Sequence, residues 1–174
     1  MIFISQSGLI DPARAAEWDA WYVEHLRIML TVPGVSSTQR FKTDAPGHSP
    51  SLAMYSFASA AVFQDPYYLS VRGMGEWLPL IARQHYRRNL FEGLDAAPDV
   101  PPDRVLIVAD RERPETGPRG VAFNWLKAVA LDLSTPYRGI AVVDRAAAAA
   151  LAADASVALY RPVTARNVKA RAAP

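Results

Sequence analysis

Residues 11–35, DPARAAEWDAWYVEHLRIMLTVPGV, constrain the chain more than any other stretch, because they spell one amphipathic helix with a histidine on its apolar face. Asp11 is a good side-chain cap, and Pro12 suits the first helical position, where a missing N–H costs nothing. Pro33 and Gly34 stop the run, since proline cannot continue the ladder and pushes the residue before it towards extended backbone. At about 100° per residue, Trp18, Trp21, Tyr22, His25, Met29 and Val32 share one arc, while Asp19, Glu24 and Arg27 fall elsewhere. An imidazole on a buried stripe loses its water and needs a partner. His25 therefore reads either as a structural hydrogen bonder or as a working acid/base.

The segments around this helix follow in a recognisable order. Ile2 to Leu9 is a partly alternating run that opens into the cap and reads as a strand. Val35 to Lys42 and Ser51 to Ser59 read as two strands of a hairpin across a loop rich in Pro, Gly and Asp. Ala60 onwards is a shorter helix interrupted at Pro66, residues 76–82 form a helical turn, and Gln84 to Leu94 returns as a strand. Strand, helix, strand, strand, helix, strand is the split βαβ order of a ferredoxin-like module, an α+β fold whose antiparallel sheet is covered by helices on one face. Residues 95–103, DAAPDVPPD, mark a linker. Beyond it, 104–111, 137–144 and 156–163 are strand-like, while 120–133 and 145–153 look helical. Residues 104–164 thus form a second, degenerate module, and 165–174 a tail. An open sheet leaves one face bare. Either the two modules pack as a tandem α/β barrel within the chain, or a homodimer completes the barrel.

Composition excludes several classes. The 174 residues, 51% of them hydrophobic, supply enough apolar material for a core. No cysteine is present, which removes disulfides, thiol nucleophiles and thiolate metal sites. Three histidines without a His-x-x-x-His pair argue against zinc, and no glycine pattern fits a nucleotide loop. The formal charge is only +2, from 19 basic and 17 acidic residues, and the basic ones are scattered, so no nucleic-acid partner is expected. No apolar run of about eighteen residues suggests a membrane span. The first residues lack the basic and apolar regions of a leader, so a cytoplasmic location is expected.

The segment WYVEHLRIMLTVPGV, the QRF of residues 39–41, a Pro-containing loop and LAMYSFASAAVFQDPYY resemble the EthD-like branch of the dimeric α/β-barrel superfamily. The matching positions are Trp21, Tyr22, Glu24, His25, Pro33, Gly34 and Arg40. Arg27 departs from the pattern, standing where a proline often follows the His-Leu pair. The resemblance covers residues 1–94. It implies a cofactor-free pocket between the sheet and the first helix, for small aromatic or polyketide-like compounds, in proteins that include isomerases, lyases, cyclases and oxygenases.

The side chains specify that pocket further. His25 would take and return a proton, with Trp18, Trp21, Tyr22 and Met29 as apolar walls. Arg40 would hold a carboxylate or enolate oxygen. His85, Arg87 and Asn89 alternate along the last strand and share a face, which makes His85 a second catalytic candidate and Arg87 a binding one. Tyr55 and Tyr68 could donate hydroxyl hydrogens. Two readings follow. One is a cofactor-free lyase or isomerase acting through His25 on a small hydrophobic or aromatic oxygenated compound. The other is a non-catalytic small-ligand-binding or stress-related barrel protein in which His25 is a satisfied core residue.

Overall fold

The computed structural model describes residues 1–169. Among these residues nine strands and three α-helices follow in order: β1 (Ile2–Ser7), α1 (Ala15–Thr31), β2 (Val35–Lys42), β3 (Ser51–Phe57), α2 (Pro66–Val71), β4 (Arg87–Glu92), β5 (Arg104–Arg111), β6 (Asn124–Leu131), β7 (Tyr137–Asp144), α3 (Arg145–Ala149), β8 (Ala158–Pro162) and β9 (Asn167–Val168). All pairings are antiparallel, in the order β3-β1-β4-β6-β7-β5-β8-β2, and β2 pairs back onto β3. Eight strands therefore close a barrel within one chain. β9 takes the stretch of β2 at Ser37 and Thr38, beyond the residues that β8 occupies.

This corrects the expected ferredoxin-like sheet covered by helices. The main cause is residues 120–133, expected as a helix and found to contain β6. Leucine and alanine favour a helix there, but NWLKAVAL buries Leu126 while Lys127 and Val129 reach solvent, and hydrogen bonding to both β4 and β7 overrides propensity. With a strand in place of a covering helix, the second half bends round to meet the first. Closure then gives each of the eight barrel strands a hydrogen-bonded neighbour on both sides. The expected tail also differs: 167–168 form β9, while 170–174 lie outside the described residues.

Alternation sorts the strand residues between two cores. Ile2, Ile4, Phe41, Leu52, Met54 and Phe91 point into the barrel and meet Leu106, Leu126, Ile140 and Tyr160 from the other half. Phe3, Tyr55, Phe57 and Leu90 point outwards and are covered by Trp18, Tyr22, Leu26 and Met29 of α1. β3 is buried on both faces for this reason. The expected linker packs into the barrel: Val100 is wholly buried, its N–H donates to Gln39 Oε1, and its carbonyl accepts from Gln39 Nε2 at 2.7 Å. Arg138, itself buried, donates to both oxygens of the half-exposed Asp110 at 2.7 Å and to Gln6 Oε1 at 2.8 Å.

The ends of α1 match their signals. Asp11 Oδ1 accepts from the N–H of Ala13, opening a 3-10 turn that leads into the helix. At the other end Gly34 has φ +82°, and a Cβ there would lie 2.7 Å from Val62 Cγ2. Only glycine fits that turn.

Candidate active site

Packing α1 across the outer face of β1 and β3 leaves a cavity of about 460 Å³ beside the helix. Its walls come from several elements: Phe3 and Ser5 of β1, Tyr22, His25 and Met29 of α1, Tyr55 of β3, Tyr68 of α2, and Tyr86 and Arg88 at β4. Arg72, Gly73 and Met74, after α2, close one side. No helix among the described residues is long and apolar enough to cross a membrane, and no three His, Asp or Glu side chains among them gather as a metal-holding group.

His25 is 8% exposed. Its ring stacks on Trp21, with centroids 4.7 Å apart and planes 10° from parallel, and meets Tyr22 edge-on at 5.8 Å. Burial lowers its pKa from 6.5 to about 4, so the ring is neutral at pH 7. A neutral imidazole offers one N–H donor and one lone pair. Tyr68 and Tyr86 are held above the ordinary phenol value by burial, against the pull of Arg88 and Arg72. Burial likewise raises Tyr22, against Arg40, and raises Tyr55 further, with the neighbouring Tyr22 adding to the shift. These phenols remain protonated donors at neutral pH. The cavity thus combines aromatic walls, hydroxyl donors, an uncharged imidazole and two guanidiniums.

Of the residues singled out from the sequence, His25, Tyr22, Met29, Tyr55 and Tyr68 meet at this cavity. The others stand apart. Trp18 is core, stacked on Trp21 at 4.9 Å and tilted against Trp77. Trp21 backs the imidazole without lining the cavity. Arg40 lies behind Tyr22, its guanidinium 4.2 Å from the ring centroid, and donates to Asp19 at 2.8 Å. His85 belongs to a 3-10 turn before β4, where its ring packs against Gly8 and its carbonyl accepts from Ser49. Arg87 is exposed and donates to the carbonyls of Arg83 and Tyr86. Asn89 is buried and pairs with Ser134.

Arg88, Arg72, Tyr86 and Ser5 were not found by sequence reasoning. The alternation at β4 was the available signal for Arg88: its register partner is Ser5, whose side chain faces the cavity, so Arg88 rather than Arg87 faces it too. No protein family, curated protein or solved structure matches the chain. Fold and cavity together define a closed antiparallel barrel with a helix-covered pocket on its outer wall.

Proposed function

We propose that the protein is a cofactor-free lyase or isomerase for a small hydrophobic or aromatic oxygenated compound, bound between α1 and the barrel wall. The observation that carries this reading is the uncharged, buried imidazole of His25 at the wall of a cavity large enough for a small organic molecule. Aromatic walls suit a flat body. Arg88, whose Nε is buried without a protein partner, and Arg72 supply positive charge for a carboxylate or enolate oxygen. Asp132 approaches Arg88 at 3.6 Å and offsets part of that charge. Within such a site the lone pair of His25 accepts a proton from an acidic carbon or hydroxyl, and the resulting imidazolium returns it at another atom. A cytoplasmic location goes with this reading.

The second reading is a non-catalytic carrier of the same ligand class. The lowered pKa of His25 favours it, because an imidazole of pKa about 4 is a weak base. An anionic substrate beside the ring raises that value and so serves the catalytic reading. A thermal-shift screen of small aromatic acids, lactones and phenols, followed by turnover assays on the hits, separates the two. Catalysis predicts hits whose conversion is lost in His25→Ala while binding persists at reduced affinity. Hits that bind but are never converted establish the carrier, and an absence of hits refutes both.

A further inference from the structure

We propose a second ligand site, for a small monocarboxylate with an apolar body, in the cleft between the start of α1 and the β2–β3 wall. The cleft has about 300 Å³ and shares no lining residue with the cavity at His25. Leu9, Pro12, Ala15 and Trp18 give it apolar sides, and Arg40 and Lys42 bring positive charge to its wall.

The charges at that wall are unevenly matched. Arg40 is 1% exposed and cannot lose its proton. Its Nη1 donates to Asp19 Oδ1 at 2.8 Å and its Nε to Ser51 Oγ at 3.1 Å, while Nη2 is buried with no partner. Asp19 also holds Lys42, whose Nζ donates to Oδ2 at 2.5 Å. One carboxylate therefore serves two cations. Asp44, the carboxylate that itself lines the cleft, is engaged by the exposed Arg161. Arg138 also has one buried guanidinium nitrogen without a partner, Nη1, but differs in charge balance, with both Asp110 oxygens to itself. A surplus cation at a partly desolvated wall is costly unless an anion balances it. A single surplus charge fits a monocarboxylate rather than a dianion. The apolar sides fit a hydrocarbon body rather than a hydrated inorganic ion.

Benzoate is the probe, titrated into methyl-labelled protein and followed by NMR. The site predicts intermolecular NOEs from benzoate to the methyls of Leu9 and Ala15. Affinity read from those methyls should fall about tenfold in Lys42→Met, where Asp19 is left to neutralise Arg40 alone. It should rise in Asp19→Asn, which unmasks both cations. Neutral benzamide should leave the same methyls unperturbed. Arg88→Met, in the other cavity, should not change the Ala15 response, so failure at His25 and failure here are read separately. NOEs confined to Met29 and Leu69, unchanged affinity in Lys42→Met, or equal binding of benzamide would each overturn the site.

Discussion

At the residue scale, the environment of His25 makes a pH prediction with a definite sign. The native ring has a pKa of about 4 and the unfolded one its ordinary 6.5. As pH falls through this window, the unfolded chain takes up a proton that the native state refuses, so stability present above 6.5 is lost towards 4. At 1.36 kcal/mol per pH unit the loss is about 3 kcal/mol. Urea titrations of wild type and His25→Ala across this range should show the steeper pH dependence in wild type. Equal slopes would mean that the ring is solvated in the native state. Arg40 illustrates why residue roles were only partly legible. A basic residue on a strand after the helix was visible, but alternation alone cannot tell a cavity wall from the space behind an aromatic ring. Its ion pair with Asp19 depends on the helix angle, which no local pattern encodes.

At the element scale, α1 was the most legible part of the chain, because cap, apolar arc and stop all agree on it. Its stop yields a test. Gly34→Ala places a methyl against Val62 in a left-handed conformation, so it should destabilise by roughly 2 kcal/mol, seen as a lower urea midpoint with unchanged slope. A neutral outcome would mean that the turn rearranges freely. β6 was illegible for the opposite reason: Leu126, Ala128, Ala130 and Leu131 satisfy a helical period almost as well as an alternating one. Only its partners, β4 on one edge and β7 on the other, decide between them. His85 was misplaced because the strand begins two residues later, at Arg87, after a turn.

At the scale of the whole molecule, the two halves of the chain complete one wall. β4 needs β6 along one edge, β2 needs β8 and β9, and the interior core draws on both halves. A fragment of residues 1–94 therefore exposes two sheet edges and half of a core. It should show no cooperative thermal transition and a collapsed amide spectrum, whereas the full chain melts cooperatively. Cooperative melting of the fragment would show that the first half is a unit of its own. Closure was hard to foresee because it depends on β2 pairing with β8 and β9, which lie more than a hundred residues away in sequence and are marked by no motif.

Under the proposed function, an anionic member of the ligand class binds in the cavity against His25. The measurement is a pH titration of the ring protons of His25, assigned by their loss in His25→Ala, with and without the tightest-binding aromatic acid from the thermal screen. The expected pKa is about 4 in the free protein, raised when the anion is bound beside the ring. A titration curve that the ligand leaves unchanged would contradict it.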